Sequence, residues 1–510
     1  MNPTAINAAA RLFENGAVGH TAIECGARQI SYGELRDSVA RAGGAWRALG
    51  LGGDERVAVF APDSIDWVTA YLGAIWAGGV AIGINPRLSM EDLAPILVES
   101  EVRFVWTTAE LAPQVAALAQ TLARPPLVIA ATGVPALHGS RDWGAACAAA
   151  TAMAPVPRAA DDMALWIGTS GTTGTPKGVI HTQGVTAACG EFARQVLGAG
   201  SHDRFYASSK LFFAYALANS LFAGLRLGAT VILDDEWPTA QRVAEMVKAH
   251  RPSIVFSVPT LYHKMLQGDV ADVLSTCGIR RFVSAGEALP ATLRAAWRER
   301  TGAAPVSGYG TSETLALMLY NDDDSGLLRP TPLTEIAYGE LADDIPQRVW
   351  FRHPAIARGY WQRPQENAED FQAGRFSPGD MFLRHAGQLE FTGRNDDMLK
   401  IAGQWVSTQW VERTLRAACG DAVQDVAAVG VKSADDLTAI SAFVVATPTR
   451  EREAQQRLQE VLAELSGHKR PRWIHWVEAL PQTATGKLQR SRLGALHREF
   501  DASQEQAGAR

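Results

Sequence analysis

The sequence predicts an α/β protein with a large N-terminal domain of layered, largely parallel sheets and helices and a small α+β C-terminal domain. Short apolar runs alternate with amphipathic stretches from residue 57 to about residue 283, and periodic segments resume after residue 400. Strands that alternate with helices are typical of parallel sheets. A chain of 510 residues is also too long for one compact core. We therefore predict an N-terminal domain at residues 1–394 and a C-terminal domain at residues 395–510.

The predicted strands of the large domain are short and apolar, and in chain order they are VAVFA, VAIGI, RFVW, ATVIL, SIVFS and RRFVSAG. The stretch 67–84 approaches the length of a membrane span, but Gly78 and Gly79 divide it into a buried helix and the strand VAIGI. In the small domain we expect a helix at 408–418, strands DVAAVGV and TAISAFVVA, and a helix at 450–465.

Composition and charge favour small-molecule partners. The net charge is −6 and no long basic run occurs, which argues against nucleic acid and against an anionic membrane surface. The five cysteines are scattered without CxxC spacing, so neither a disulfide framework nor a zinc site is expected. The first residues lack the features of a signal peptide. We expect a cytoplasmic protein.

The segment LWIGTSGTTGTPKGVIHT at 165–182 joins an apolar strand to a loop rich in Gly, Ser and Thr. Such a loop suits polyphosphate, because glycines let backbone N–H groups approach, hydroxyls add donors and Lys177 adds positive charge. It differs from the Walker A loop, since Pro176 and Gly178 flank that lysine. An ordinary P-loop NTPase is therefore disfavoured.

Three later segments contain groups suited to a nucleotide and its metal. In GYGTSE an aromatic ring beside glycines can cover a purine, and Glu313 offers an oxygen ligand for Mg2+. In SPGD, Asp380 can accept hydrogen bonds from ribose hydroxyls. Carboxylate attack on a phosphate brings two anions together, which requires a cation such as Lys487 in TATGK. A core aromatic, solvated carboxylates and an exposed lysine are the alternative interpretations.

With these motifs the chain resembles the adenylate-forming superfamily of acyl- and aryl-CoA ligases, carrier-loading adenylation domains and luciferases. The phosphate-loop pattern TSGTTGxPKG is matched without a gap. The resemblance extends along nearly the whole chain, because further motifs follow in the family's order: SAGEALP, GYGTSET, RGYW, SPGD, GRNDDMLKIAGQWVS and TATGKLQR.

The resemblance implies roles for individual residues. The catalytic residues are Lys487, Thr169 and Glu313, the last as the Mg2+ ligand. The residues that bind ATP and AMP are Ser170, Gly171, Thr172, Thr173, Gly174, Lys177, Glu287, Ala288, Tyr309, Gly310, Thr311, Asp380 and Arg394. The C-terminal domain is implied to be mobile, with Asp396 as its hinge, and Gly403 and Trp405 are implied to line the tunnel for coenzyme A.

The segment KLFFAYALANS is similar to the acyl pocket of benzoate-CoA ligases, although a plain hydrophobic helix start is the alternative. The resemblance implies a substrate pocket formed by Phe213, Ala214, Tyr215, Gly286, Gly308, Ala316 and Leu317. Benzoate-activating relatives carry His-Ile where this chain has Ala316-Leu317. We expect the smaller alanine to admit a larger or ortho-substituted ring, or a spacer before the carboxylate.

The resemblance implies ATP-dependent activation of an aromatic carboxylate as its adenylate and transfer to coenzyme A, with release of AMP and pyrophosphate. One alternative acceptor is a carrier-protein phosphopantetheine, which an assay with coenzyme A alone would separate. A different interpretation of the chain is that it is a nucleotide-binding regulatory protein without turnover, which would release no pyrophosphate. A monomer or a homodimer is expected.

Overall fold

The computed structural model describes residues 6–131, 140–169, 177–339, 345–394, 398–401, 404–433, 437–482 and 488–508. Two compact units are formed. The larger contains the described residues among 1–169, 176–336 and 350–376, and the smaller contains those among 337–349 and 377–510.

The elements of the larger unit up to residue 182 are, in chain order, α1 (Ala8–Arg11), β1 (Thr21–Cys25), β2 (Arg28–Ser31), α2 (Tyr32–Ala48), β3 (Arg56–Phe60), α3 (Ile65–Trp76), β4 (Val80–Ile84), α4 (Met90–Glu99), β5 (Phe104–Thr107), α5 (Ala112–Thr121), β6 (Leu127–Ala130), β7 (Ser140–Asp142), α6 (Trp143–Ala149), β8 (Met163–Thr169) and β9 (Lys177–Thr182).

The chain continues with a 3-10 helix (Gln183–Ala187), α7 (Glu191–Gln195), β10 (Arg204–Ala207), α8 (Ala214–Ala216), a π-helix (Leu217–Phe222), α9 (Ala223–Leu227), β11 (Thr230–Leu233), α10 (Ala240–His250), β12 (Ile254–Ser257), α11 (Pro259–Gln267), α12 (Val270–Ser275), β13 (Arg281–Ser284), α13 (Ala291–Thr301), β14 (Val306–Tyr309), β15 (Leu319–Asn321), β16 (Arg329–Pro330) and β17 (Glu335–Ala337).

The remaining elements are β18 (Gln347–Arg348), β19 (Trp350–Arg352), β20 (Gly359–Tyr360), α14 (Pro364–Asp370), β21 (Phe371–Gln372), β22 (Arg375–Phe376), β23 (Asp380–His385), β24 (Gln388–Arg394), β25 (Met398–Ile401), β26 (Gln404–Ser407), α15 (Thr408–Cys419), a 3-10 helix (Gly420–Ala422), β27 (Val423–Lys432), β28 (Thr438–Ala446), α16 (Glu451–Glu464), β29 (Trp473–Trp476) and α17 (Arg490–Gly508).

Two large sheets form the framework of the larger unit. One has nine strands in the order β16-β15-β14-β13-β12-β10-β11-β1-β2, and the other has eight in the order β20-β9-β8-β4-β3-β5-β6-β7. The strands from β14 to β1 are mutually parallel, as are those from β8 to β7. Among the described strands of these two sheets, the antiparallel pairs lie toward the edges. The largely parallel α/β architecture is therefore confirmed, and the run VAIGI forms β4 as predicted.

Helix α3 shows how the core of the larger unit is built. Ser64 caps it by accepting a hydrogen bond of 3.0 Å from the Trp67 N–H, which satisfies one of the free donors at a helix start. Every residue of the helix except Asp66 is buried. Helix α2 packs closely against it, since a Cβ added at Gly73 would lie 2.6 Å from the Cβ of Ala42. The glycine permits this close approach.

The smaller unit contains a three-stranded sheet β18-β23-β24, the hairpin β25-β26 and a three-stranded sheet β27-β28-β29. Helices α15 and α16 pack with the last sheet through buried Val411, Leu415, Ala454 and Leu458. The predicted helices at 408–418 and 450–465 and the two predicted strands correspond to α15, α16, β27 and β28. The α+β character predicted for this region is therefore confirmed.

All five cysteines are free thiols, in agreement with the absence of a disulfide framework. Within the described part of the chain, no helix combines the length and apolarity needed to cross a membrane.

Candidate active site

The predicted phosphate loop joins two antiparallel strands, β8 and β9. Thr169 at the end of β8 is paired with Lys177 at the start of β9, and the Thr169 hydroxyl lies 3.5 Å from the Lys177 carbonyl oxygen. The ends of the loop are thus held side by side. Ser170, Gly171, Thr172, Thr173 and Gly174, which were predicted to bind phosphate, lie outside the described residues.

The side chain of Lys177 lies against a tyrosine and a glutamate. Its Nζ is 5.0 Å from the ring centroid of Tyr360 and 3.9 Å from Oε1 of Glu366. A cation above an aromatic face is attracted by the ring's electron density. The ammonium group is therefore held near the end of the loop without a short ion pair, so an incoming phosphate can compete for it.

The buried Tyr360 also contacts the predicted magnesium ligand. Its hydroxyl donates a hydrogen bond of 2.8 Å to Oε1 of Glu313. Asn367 fixes the backbone of this tyrosine through two hydrogen bonds, because its Oδ1 accepts from the Tyr360 N–H at 2.7 Å and its Nδ2 donates to the Tyr360 carbonyl at 2.8 Å. Tyr360 therefore joins the phosphate-loop lysine to the carboxylate of Glu313.

The loop that carries Glu313 begins where β14 ends. Thr314 closes a tight turn, since its hydroxyl accepts from the Thr311 N–H at 2.9 Å and lies 3.1 Å from the Thr311 carbonyl. The Ala357 N–H donates to the Glu313 carbonyl at 2.7 Å. These bonds fix the backbone at the residue whose side chain was predicted to bind Mg2+.

Buried His181 on β9 supports the same loop. Its Nε2 lies 2.8 Å from the Ser312 carbonyl oxygen, so that ring nitrogen carries the proton. Burial lowers the pKa of His181 to about 4, because a charged imidazolium is disfavoured away from water. The histidine is thus a neutral donor near physiological pH.

The environment of Glu313 fits a magnesium ion held mainly by substrate. Oε1 receives the Tyr360 hydroxyl, and the other carboxylate oxygen has no hydrogen-bond partner among the residues that the structure describes. In the same part of the chain, no group of three or more His, Cys, Asp or Glu side chains is placed to hold a metal. One carboxylate combined with phosphate oxygens and water is the usual protein contribution to Mg2+ in nucleotide sites.

The other predicted nucleotide and substrate residues of the larger unit follow the carboxyl ends of neighbouring parallel strands. Strands β10, β12, β13 and β14 lie side by side and parallel, so the segments after them meet at one edge. This edge includes Phe213, Ala214, Tyr215, Gly286, Glu287, Ala288, Tyr309, Gly310 and Thr311.

Specific contacts hold this edge together. The Tyr215 hydroxyl donates to the Val283 carbonyl at 3.1 Å, and the Thr260 hydroxyl donates to Glu287 at 3.0 Å. Gly286 has a φ of +90°, a backbone conformation that glycine adopts without strain. The Tyr309 ring lies 6.1 Å from that of Phe351, measured between centroids.

Two glycines let Ala316 and Leu317 pack directly on β14 and the residue after it. A Cβ added at Gly308 would lie 2.5 Å from Cδ1 of Leu317, and one added at Gly310 would lie 2.9 Å from the Ala316 carbonyl oxygen. Gly308, Ala316 and Leu317, which were predicted to line a substrate pocket, therefore lie close together. Ala316 and Leu317 also line a cavity of about 20 Å³.

In the smaller unit, Asp380 and Arg394 are directly paired across the antiparallel strands β23 and β24. The two residues predicted to contact the nucleotide therefore lie side by side in the backbone ladder. Trp405 is on β26, opposite Lys400. Asp396, Gly403 and Lys487 lie outside the described residues.

The fold and this arrangement of phosphate-loop lysine, carboxylate and aromatic ring define an AMP-forming ligase. A family model described as AMP-binding enzyme matches residues 12–361, and one described as AMP-binding enzyme C-terminal domain matches residues 418–487. The chain belongs to the AMP-binding enzyme family, the adenylate-forming superfamily that the sequence motifs indicated.

Relatives and solved structures place the chain in the benzoate-CoA ligase branch. It is 38% identical to a 3-hydroxybenzoate–CoA ligase of Aromatoleum sp. (strain CIB) over 94% of each chain. A benzoate CoA ligase from Burkholderia xenovorans LB400 is 31% identical, with a TM-score of 0.84 over 96% of this chain and 99% of that one. An anthranilate CoA ligase in complex with anthranoyl-AMP is 28% identical, with a TM-score of 0.89 over 98% of this chain and 99% of that one.

Sequence reasoning did not single out Tyr360 or His181. Tyr360 stands in the motif RGYW and His181 in the segment 165–182, so these segments were recognised but the two residues were not assigned roles. The contact of Tyr360 with Glu313 spans 47 positions of sequence. No local sequence pattern predicts this contact.

Proposed function

We propose that this aryl-CoA ligase activates a benzoate-type acid with ATP and Mg2+ and transfers the acyl group to coenzyme A. The contact chain from Lys177 through Tyr360 to Glu313 is the observation that carries the proposal. It holds a phosphate-binding cation and a metal-binding carboxylate at one place. Phosphoryl-group chemistry depends mainly on such positioning and charge stabilisation.

In the first half-reaction, an oxygen of the substrate carboxylate attacks the α-phosphorus of ATP and pyrophosphate leaves. Lys177 holds the departing phosphates, and Glu313 holds the Mg2+ that neutralises their charge. Tyr309 covers the adenine, and Asp380 with Arg394 binds the ribose. Lys487 stabilises the negative charge that develops between the two reacting anions.

In the second half-reaction, the thiol sulfur of coenzyme A attacks the carbonyl carbon of the acyl-adenylate. The thiol proton is released, a thioester forms and AMP leaves. Gly403 and Trp405 line the approach of the thiol. Asp396 is the hinge about which the C-terminal domain, residues 395–510, rotates between the two half-reactions. The rotation withdraws Lys487 from the active site and brings the thiol tunnel to it. Residues 1–394 remain as the nucleotide- and acyl-binding domain.

The acyl site proposed for the aromatic ring is largely apolar. Phe213 lies 4.4 Å from Phe212 between ring centroids, and Tyr215 packs edge-on to Phe256 at 6.1 Å. A flat, apolar slot suits an aromatic acid. The names of the relatives, 3-hydroxybenzoate–CoA ligase among them, support benzoates as the substrate class.

The reaction uses the ATP and coenzyme A of the cytoplasm, and the free cysteines suit a reducing compartment. We therefore place the enzyme in the cytoplasm.

A carboxylate panel tests the proposal. The purified chain is incubated with ATP, Mg2+ and benzoate, its hydroxy- and methyl-substituted forms, or fatty acids, each with and without coenzyme A. Pyrophosphate release with benzoates and the matching aryl-CoA by mass spectrometry are expected. If the thioester forms only on a holo-carrier protein, the acceptor is the carrier protein and not coenzyme A. If no acid causes pyrophosphate release, the proposal is overturned.

A further inference from the structure

The cavity beside Ala316 continues the proposed acyl site. Its lining includes Ala316 and Leu317, and also Ala218 and Asn219. These two residues are four positions after Ala214 and Tyr215, the proposed substrate-binding residues, along one continuous helical segment. Positions four apart lie on the same helix face. The cavity is therefore the next site along the surface that meets the ring.

Among the described side chains that line this cavity, Asn219 is the one with hydrogen-bonding groups that have no partner. One Nδ2–H donates to the Tyr215 carbonyl at 3.1 Å. An amide has two N–H donors and an accepting oxygen, so a donor and the oxygen are left over although the residue is only 6% exposed. Asn219 also lies in the π-helix Leu217–Phe222, a widened turn that is frequent at functional sites.

The other polar groups of the lining are already engaged. The Thr331 hydroxyl donates to the Leu317 carbonyl at 2.7 Å. Nδ1 of His353 accepts from the Ala355 N–H at 3.1 Å, and the same imidazole is hydrogen-bonded to the Pro332 backbone. Burial lowers the pKa of His353 to about 4 and raises the pKa of the Cys189 thiol to about 12. Both are neutral at physiological pH, and the described lining residues include no Asp, Glu, Lys or Arg.

A volume of about 20 Å³ accepts one group of the size of a water molecule. A free water needs two to four polar partners, whereas a substituent fixed to the ring requires only one. An ionised substituent is disfavoured, because burying a charge without a partner is costly. These properties leave a small neutral group that both donates and accepts hydrogen bonds.

We propose that Asn219 is a specificity-determining residue that binds a hydroxyl or amino substituent on the ring of the acid, in the cavity that Ala316 leaves open. This inference rests on the proposed function and names its substrate class. A buried amide left without its partner disfavours the acid that lacks the substituent.

The test compares kcat/KM for benzoate and for the 2-, 3- and 4-hydroxy and methyl forms of benzoate. A methyl group has nearly the size of a hydroxyl but cannot form the hydrogen bond. In the wild type, one hydroxybenzoate isomer is expected to exceed its methyl isostere by roughly ten- to hundredfold. This comparison requires no mutation.

Asn219→Leu should abolish that preference and favour the methyl form. Thr334→Val is the matched control, because the Thr334 hydroxyl contacts Thr331 from outside the cavity at 2.9 Å. Hydroxyl-to-methyl ratios near one for all isomers in the wild type, or an unchanged ratio in folded Asn219→Leu, would overturn the inference. Failure of every aromatic acid to release pyrophosphate would instead contradict the proposed function.

Discussion

The Tyr360 hydroxyl donates a 2.8 Å hydrogen bond to the carboxylate of Glu313, while the face of the same ring lies 5.0 Å from the Lys177 ammonium group. One side chain therefore touches both residues proposed to act on the ATP phosphates. Its position follows from β20, where Tyr360 pairs with Val179 of β9. The strand that begins with the lysine thus also fixes the tyrosine.

Tyr360→Phe should raise the Mg2+ concentration that the enzyme requires, without disturbing the fold. The ring remains to contact Lys177 and Phe371, whose centroid is 5.3 Å away, but Glu313 loses its donor. A hydrogen bond to a charged group contributes about 1.5 to 3 kcal/mol. We expect a several-fold rise in the Mg2+ concentration for half-maximal pyrophosphate release, with KM for the acid unchanged.

Tyr71→Phe is a suitable control for that experiment. The Tyr71 hydroxyl is buried in α3 and has no hydrogen-bond partner among the described residues. Its removal should leave the Mg2+ response unchanged. Equal Mg2+ responses of Tyr360→Phe and the wild type would show that the tyrosine does not position Glu313.

Glu313→Gln should raise the Mg2+ requirement further than Tyr360→Phe. Glutamine keeps the shape and an oxygen that can accept from Tyr360, but it removes the negative charge that a hard cation prefers. Because both changes act on one contact, the double variant should raise the activation free energy by less than the sum of the two single increases. If the two increases in activation free energy add strictly, Tyr360 and Glu313 act independently of each other.

The elements with strong local patterns could be predicted from sequence. VAIGI at 80–84 is an uninterrupted apolar run after Gly79 and forms β4 with those bounds. The helix expected at 408–418 ends one residue later, at Cys419. Such elements are specified by their own residues, either as buried strands or as an amphipathic helix.

Features that depend on distant partners could not be predicted. The run around Asn219 is apolar on all sides and therefore gives no sign of the π-helix at Leu217–Phe222. The cavity beside it requires Ala316, nearly a hundred positions later, to be small. Motifs identified the residues of the phosphate loop and of GYGTSET, but tertiary pairing decides which other side chains support them.

Asp63→Asn should change how stability depends on pH. Asp63 is buried, and its two oxygens accept from the Leu211 N–H, each at 3.1 Å. Burial raises its pKa to about 7, with Asp234 and Asp235 acting in the same direction and Lys210 opposing them. A carboxyl with a raised folded-state pKa binds its proton more tightly when folded, so its contribution is present below pH 4 and is lost as pH rises toward 7.

Asparagine does not ionise and avoids this loss. The free energy of unfolding of Asp63→Asn, relative to wild type, should therefore increase between pH 4 and pH 8 by up to about 4 kcal/mol, taking 1.36 kcal/mol for each pKa unit. Urea denaturation of both proteins at the two pH values measures it. Asp37→Asn, at an exposed position of α2, is the control for the substitution itself. A constant difference for Asp63→Asn would mean that Asp63 is ionised throughout.

Lys487→Ala should separate the two half-reactions. The lysine is proposed to stabilise only the adenylation transition state, and loss of one such contact costs about 3 kcal/mol or more, a hundredfold or greater fall in rate. Thioester formation from supplied acyl-adenylate should persist. Lys469→Ala is a control, because that lysine packs over Trp410 at 4.4 Å. Similar loss of both half-reactions in folded Lys487→Ala would contradict its role.

Ala316→His should shift specificity toward small benzoates. Ala316 and Asn219 both line the cavity of about 20 Å³, and an imidazole at position 316 adds enough atoms to fill it. The space for a ring substituent is then lost, while an unsubstituted ring gains a contact in place of a void. A difference of this size in a pocket changes specificity by about 1 to 3 kcal/mol, which corresponds to a roughly ten- to two-hundredfold change in the ratio of kcat/KM values.

The measurement is the ratio of kcat/KM for benzoate to that for the preferred substituted benzoate, with wild type and variant assayed in parallel. Ala316→Val provides an apolar comparison, since it reduces the volume without adding a donor. Both variants should raise the ratio, and Ala316→His should raise it more because its larger side chain fills more of the cavity. Overpacking would appear as lower stability and equal loss for both acids. If neither variant moves the ratio while both remain folded and active, Ala316 does not line the part of the site that meets the ring.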